Sequence, residues 1–526
     1  MTYTRMLRRL LPLLALALSG RALGQTYFNQ QHPLEPAGYV GGSAVLPTDS
    51  GYVVVGFGTA GSPYARHLVV AYFDALGQPV RHRLFAHRAG PDLYGCQSGP
   101  LQRLPDGGFA MAGSVGLTGT VSHGQLWRFA PGGDTLWTRT YPPTDSGLFV
   151  RLAQHTRVPA DGGFALIGDQ RRPPRTREAT DLLLIRTDRA GRERWRRRFR
   201  QPGHEYHLGW QVVAAPDGGF VLCAYSAPTT AVPLGRPFNG DGLVIKTDSV
   251  GQEQWRYTFA TPFFDAAAAA VCLPGGGYLI GGQWGAHYLP PTNSACRALL
   301  VRLDAQGREL WRRTYGPARF GAETRGLYLL ADGTAVLAGV TTDPPARPGT
   351  LAVVASAVRV CAATGDSLWR RTYRYFSGPN TQHYLRDFAP TPDGGFVGTG
   401  FIHLAPPDVG PQSVWPYKTD AKGYVEAGGA PPPAVACAPL GVAPATEPEA
   451  GRVAVWPNPS ATGRFTLRAP AGAAYTVLDA TGRRVAAGRL RGPETELDLS
   501  GLPAGVYALR LTGPDGRSLT RRIVRQ

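Results

Sequence analysis

The sequence predicts an all-β fold: a seven-bladed β-propeller of four-stranded antiparallel blades, followed by a small C-terminal β-sandwich. Three observations predict it. An Asp-Gly-Gly-aromatic stretch recurs at a nearly fixed spacing, four strand-like segments fill each period, and a Pro-rich stretch then gives way to a different set of strand patterns.

The recurring stretch is clearest at Val212–Leu222, where an apolar run meets Asp217-Gly218-Gly219 and leaves as a second apolar run beginning with Phe220. Asp-Gly between alternating hydrophobics is a strong hairpin signal, because such turns need a positive φ that Gly adopts without steric cost. Near-copies end at Phe109, Phe164 and Phe396, and variants at Tyr52, Tyr278 and Ala335. Successive spacings of 57, 55, 56, 58, 57 and 61 residues are the mark of a repeat architecture. A second turn recurs at Asp74…Gly77, Asp188…Gly191, Asp248…Gly251, Asp304…Gly307 and Asp420…Gly423, and the strand after it carries Trp137, Trp195, Trp255, Trp311 or Trp369. Four-stranded meanders repeated seven times suit radial blades better than a stacked solenoid. Tyr27-Phe28 is a candidate outer strand for the seventh blade, whose expected last strand, Tyr424-Val425, lacks the Trp.

Outside the repeats, residues 1–24 read as a secretory signal peptide: Arg5, Arg8 and Arg9, then apolar Leu10–Leu18, then Ala22-Leu23-Gly24. The propeller is expected over 25–426, a Pro/Ala-rich linker over 427–450, and a final β domain over 451–526. No apolar run is long enough to span a bilayer as a helix, so an integral membrane protein is not expected. The formal net charge of +18 is almost entirely arginine, since Lys occurs only at 246, 418 and 422. No nucleic-acid-reading motif accompanies this charge, so nucleic acid is not an expected partner and an anionic polysaccharide or lipid headgroup fits better. Arginine runs such as Arg192–Arg200 read first as a charged edge strand and second as a dock for an anionic glycan. The six cysteines show no metal-ligand spacing, and Cys272 with Cys296 is the first candidate bridge.

The final domain resembles the type A carboxy-terminal sorting domain of type IX secretion substrates. The resemblance rests on Trp456-Pro457-Asn458-Pro459 with Gly463-x-Phe465-x-Leu467, on Leu478-Asp479-Ala480-Thr481-Gly482, and on Leu497–Tyr507 with Leu502, Gly505 and Tyr507 in phase. It implies export across the outer membrane, contact with the secretion machinery, and release or tethering to surface lipopolysaccharide. The blades are similar to a repeat common in such secreted passengers, which carries no fixed activity.

Candidate ligand-binding residues come from the connections between repeats. Asp92, Asp145, Glu205, Asp265 and Glu323 each follow one outer strand and precede the next inner strand, so a propeller gathers them on one face of its channel. His207, His383 and Asp387 join them, and Trp210 and Trp284 break phase with the other tryptophans, as stacking platforms would. The competing reading gives each acid to the backbone N–H groups of its own loop and each in-phase Trp to packing between blades. No nucleophile elbow, zinc helix or phosphate loop occurs, so no catalytic residue, metal or cofactor is assigned. The expected function is a non-catalytic binding or adhesion module for a glycan or protein. The alternatives are a carbohydrate-active hydrolase or lyase with carboxylates at the channel mouth, and a purely structural surface protein.

Overall fold

A computed structural model describes residues 26–525 apart from 35–38, 60–65, 86–91, 95–100, 119–120, 145–148, 172–178, 229–239, 287, 290–291, 294–295, 317–321, 344–351, 378–380, 405–411, 428–436, 438–453, 469–471, 480–483, 491, 493 and 513–517. The 1–24 leader, most of the linker, Asp145, Gly482 and Cys96 lie outside the described residues. The chain divides into two compact units, Met1–Leu440 and Gly441–Gln526.

The first unit is a β-propeller. Blade 4 is representative: Tyr206–Ala214, Phe220–Ala227, Asp241–Thr247 and Glu253–Phe259 pair antiparallel in that order, from hub to rim. Blades 3, 5 and 6 repeat the arrangement from Val150–Arg157, Phe264–Cys272 and Ala322–Leu329 outward. Blade 1 begins at Tyr39–Thr48, and blade 2 is described mainly by Phe109–Thr118, Val121–Phe129 and Thr135–Tyr141. Blade 7 departs from the expectation at its end. Tyr424-Val425 is not a strand; Tyr417–Thr419 takes the third place and Phe28–Asn29, from the N-terminal side, adds the fourth, with Phe28 opposite Lys418.

Each Asp-Gly-Gly turn does two jobs. The Asp217 carboxylate accepts the Gly219 N–H at 3.0 Å and the Lys246 ammonium at 2.6 Å, and Lys246 is itself buried on the third strand. Asp161 with Arg186, Asp332 with Arg359, and Asp393 with Lys418 repeat this pair at 2.5, 2.5 and 2.8 Å. Burial pushes the Asp393 carboxyl up, but the Lys418 ammonium and the Thr391 hydroxyl outweigh it and hold it below the usual carboxylate range.

Blades meet through the tryptophans. Trp195 packs its edge toward Phe220 of blade 4, with ring centroids 6.1 Å apart, and Trp137 meets Phe164, Trp255 meets Tyr278 and Trp369 meets Phe396 in the same way. Each indole also covers the second turn of the next blade, where Gly251 (φ +80°), Gly307, Gly365 and Gly423 leave no room for a side chain. A Cβ on Gly251 would sit 2.8 Å from Trp195, at a φ that L-residues avoid. Arginines two residues further along the strand lie over these rings: Arg139, Arg197, Arg313 and Arg371 at 5.3–5.9 Å. At the seam between the last and first blades Phe28 replaces the Trp, meeting Tyr52 at 5.5 Å and covering Gly77.

The second unit is a β-sandwich. Ala454–Trp456, Arg464–Arg468 and Glu494–Asp498 form one sheet, and Arg484–Arg489, Ala474–Leu478, Gly505–Thr512 and Ser518–Arg525 the other. Arg484–Arg489 was not among the expected strands. Phe465, Leu467, Val477, Leu497, Leu509 and Ile523 form the core. Pro457, Asn458 and Pro459 are exposed, both Xaa-Pro bonds there are cis, and Asn458 Oδ1 accepts the Val524 N–H at 2.9 Å. Gly463 (φ +74°) lies against Ser500, Leu502 donates its N–H to Leu499, and Tyr507 donates its hydroxyl to the Pro503 carbonyl at 2.6 Å. Asp479 follows the strand Ala474–Leu478.

The described cysteines are all free thiols, and the expected Cys272–Cys296 bridge is not formed. Cys272 sits opposite Tyr278 at one end of blade 5, whereas Cys296 precedes Arg297, opposite Trp284, at the other end. The Cys296 thiol instead lies on the Ala322 carbonyl at 3.2 Å. Cys361 and Cys437 hydrogen-bond each other. Burial pushes both thiols up, but at Cys361 hydrogen bonds from Cys437 and from Ala363 and Thr364 prevail and lower it, whereas Cys437 is pushed up to about 12.

Two outcomes follow. Trp369→Ala, at a site 5 % exposed, is expected to cost about 3–5 kcal/mol, read as a lowered urea midpoint. Exchange with oxidised glutathione should join Cys361 to Cys437 and release two glutathione thiols; the absence of a Cys361–Cys437 peptide from non-reducing mapping would contradict that pairing.

Candidate functional site in the central channel

Every completely described inner strand carries a β-bulge at the same height. In blade 4, Gly209 pairs with Ala224 and Gln211 with Cys223, which leaves Trp210 unpaired. The residues at the equivalent bulge positions are Ser43, Ala153, Ala268, Arg325 and Arg386. In blade 4 Ala224 stands opposite Gly209, but in several other blades glycine on the second strand makes room for the bulge: a Cβ on Gly168, Gly339 or Gly400 would overlap the carbonyl oxygen of Arg151, Glu323 or Tyr384. These glycines stand four residues after the turn aromatic, and Gly56 and Gly282 share the position.

The residue after the bulge ties neighbouring blades together. Gln154 Oε1 accepts the Val212 N–H of blade 4 at 2.9 Å, and Gln211 Oε1 accepts the Ala270 N–H of blade 5 at 2.6 Å. Asp387 Oδ2 accepts the Val45 N–H of blade 1 at 2.9 Å, and its other oxygen accepts the Tyr328 hydroxyl of blade 6. One buried carboxylate thus binds three blades where the ring closes. Burial pushes its pKa up to about 6, against the pull of Tyr328, Val45 and Phe388.

The bulge residues meet across the hub. Arg325 Cζ lies 5.3 Å from the Trp210 ring centre although blade 5 separates their strands, and Glu323 Oε2 accepts from Arg325 at 2.6 Å. Arg386 lies over Phe401 at 5.3 Å, its Nε is buried without a partner, and no hydrogen bond or ion pair to its guanidinium occurs among the described residues. Burial and the neighbouring Arg325 charge pull its pKa down to about 10, opposed by Glu323 and Tyr384. Arg151 pairs with buried Asp169 at 2.7 Å.

The other expected site residues divide between this hub and the fold. Asp92 opens the short strand Asp92–Tyr94, and Glu205 immediately precedes Tyr206. Asp265 and Glu323 are the second residues of inner strands rather than loop residues. Asp265 is buried and accepts from the Thr261 N–H, the Thr261 hydroxyl and the Gly285 N–H at 2.5–2.8 Å; burial raises its pKa despite these donors. His207 is buried, with Nδ1 donating to the Thr180 carbonyl and Nε2 accepting the Gln201 N–H, both at 2.8 Å. His383 is buried against Trp415 and Phe376, and burial lowers its pKa to about 4. Trp284 lies under Arg312 at 4.6 Å and beside Phe259, away from Trp210. The hub therefore gathers Trp210 and Glu323, while Asp265, His207, His383 and Asp387 are committed to holding loops and blades. Arg325 and Arg386 were missed, although the second-strand glycine marks their height.

A Ser226–His204–Asp241 series also occurs in blade 4. His204 Nδ1 is 2.9 Å from Ser226 Oγ and its Nε2 is 3.7 Å from Asp241. Ser226 is fully buried, so its hydroxyl is closed to an incoming substrate. No group of three metal-ligating side chains gathers among the described residues, and no helix there is long and apolar enough to cross a membrane.

The class defined by fold and hub is a propeller whose inner bulges converge on a charged, aromatic channel, carried on a chain with a separate β-sandwich. Residues 454–526 match the family model described as the secretion system C-terminal sorting domain, so the second unit is a type IX sorting domain and marks the protein for export to the cell surface or beyond. No curated protein matches the chain. Among solved structures it is similar to PorZ, a bacterial surface component of the type IX secretion system of Porphyromonas gingivalis, at 11 % identity over 92 % of this chain and 81 % of that one, with a TM-score of 0.22. It is also similar to an α-L-arabinofuranosidase from Fusarium graminearum (13 % identity, 64 % and 98 % covered, TM-score 0.40). A third is the β-propeller domain of the trilobed protease from Pyrococcus furiosus (8 % identity, 73 % and 96 % covered, TM-score 0.39).

The raised pKa of Asp387 gives a signed pH effect. A carboxyl held higher in the folded than in the unfolded chain loses stability as pH rises through the interval from about 4 to about 6, on the order of 3 kcal/mol in all. Asp387→Asn keeps an acceptor for Val45 and cannot ionise. Its melting temperature should equal that of the parent near pH 4 and exceed it above pH 6.

Proposed function

We propose that this is an exported cell-surface propeller that acts by binding a glycan or protein ligand in its central channel, without catalysing a reaction. The leader over 1–24 takes it across the inner membrane and the 451–526 domain across the outer one, from a linker over 427–450. The observation that carries the reading is the division of labour among the acids. Asp265 and Asp387 are buried and saturated with donors, and Glu323 is paired with Arg325. A glycosidase needs one carboxyl to give a proton and another to attack or activate water at a set separation, and of these three, two hold the fold and the third is ion-paired with Arg325. The channel presents arginine and aromatic rings instead, groups suited to recognition. Surface lipopolysaccharide or another anionic polysaccharide is the partner this chemistry favours.

Two measurements test it. Removing 451–526 should leave a propeller with unchanged far-ultraviolet circular dichroism that accumulates in the periplasm; normal surface delivery would contradict the assigned route. The purified propeller should bind material from surface extract and release no reducing sugar from it over a prolonged incubation.

A further inference from the structure

We infer that the hub holds an anion-binding site in which the Arg386 guanidinium, set beside the Arg325 that lies over Trp210, takes the carboxylate or phosphate of an acidic saccharide. This rests on the binding reading above and specifies its ligand chemistry.

Four observations support it. The bulge register places Arg325 and Arg386 at one height on adjacent inner strands, and Trp210 of blade 4 meets Arg325 across the channel. Charge there is unbalanced: Glu323 accepts from Arg325, and nothing among the described residues accepts from Arg386. An unpaired, half-buried guanidinium is costly for the fold, yet this one sits at a bulge position that carries small Ser43, Ala153 or Ala268 in other blades. Finally, Tyr384 lies near it and Trp210 lies under its neighbour Arg325, two partly exposed rings that suit stacking against the face of a sugar. Several other arginines of the channel and rim have fold duties: Arg151 on Asp169, Arg196, Arg256 and Arg312 on Glu193, Glu253 and Glu309, and Arg197 over Trp195. Among the described residues the guanidinium of Arg386 has only its Phe401 contact. A planar guanidinium presents paired N–H donors to two oxygens of a carboxylate or phosphate, so an arriving oxyanion would satisfy Nε and a terminal nitrogen together.

The test is calorimetric titration of the full chain and of Arg386→Gln with three probes: an oligogalacturonate, a hexose 6-phosphate, and a neutral galacto-oligosaccharide. The expected result is binding of one or both acidic probes by the parent and a loss on the order of thirtyfold in the variant. Preference for the first acidic probe assigns a carboxylate and for the second a phosphate. The variant should melt no lower than the parent, and the bound acidic probe should raise the melting temperature of the parent only. Equal binding of the neutral probe, or an undiminished affinity in Arg386→Gln, overturns the inference while leaving the binding reading intact. Failure of the parent to bind either acidic probe also overturns it. Retention of surface extract by both proteins then preserves the general reading, and loss from both removes it.

Discussion

The propeller depends on one repeated contact: the outer-strand indoles of blades 2 to 6 seated on the second-turn glycine of the next blade and, in four of the five, against its turn aromatic. The glycine is needed twice over, for its left-handed φ and for the absence of a Cβ beneath the ring. Because every such contact joins consecutive blades, the angle between blades is fixed at the rim, and seven equal steps return the chain to its start. Blade 1 places Tyr72 over Gly133 in place of an indole, and the last step has no Trp from its own repeat either. Phe28, brought from the N-terminal side, supplies the ring over Gly77 and so converts an open series into a closed one.

At the hub a different device repeats. A bulge interrupts each completely described inner strand, and in three blades the side chain that follows it accepts a backbone N–H from the next blade. Gln serves at two such positions and a carboxylate at the third, where it must hold blades 6, 7 and 1 together. That extra duty explains why an acid is tolerated there despite full burial: three donors compensate in part for lost hydration. The residue before it is free of the ladder, so its identity can vary without cost to pairing. Rim and hub thus separate what the fold requires from what a ligand can use.

This separation governs what was legible in the sequence. The period, the two turn types and the tryptophans recur because packing demands them at every step, and they gave the propeller and the packing role of Phe220. The sandwich strands alternate clearly except Arg484–Arg489, whose Arg-Val-Ala-Ala-Gly-Arg lacks bulky apolar residues. The hub was only half legible. Trp210 was conspicuous because it broke phase, and Glu323 because it was acidic, but arginines at 325 and 386 vanished among fifty-five basic residues. His207, His383 and Asp387 were misleading for the opposite reason: polar residues cluster at buried inter-blade joints as readily as at binding sites, and only the hydrogen-bond partners distinguish the two.

The arginine excess also changes meaning. At the rim, guanidinium groups cover indole faces and pair with Glu193, Glu253 and Glu309 on their own strands, so the run at 192–200 serves packing before it serves any ligand. Of the three lysines, two are the buried partners of Asp217 and Asp393. Cation count therefore measures how often this repeat needs a flat cation over an aromatic ring or a charge behind an Asp-Gly-Gly turn. Net charge of that origin says little about a partner. The informative cation is the one for which the fold has no use, and by that criterion the hub position occupied by Arg386 carries more weight than the rest of the surface.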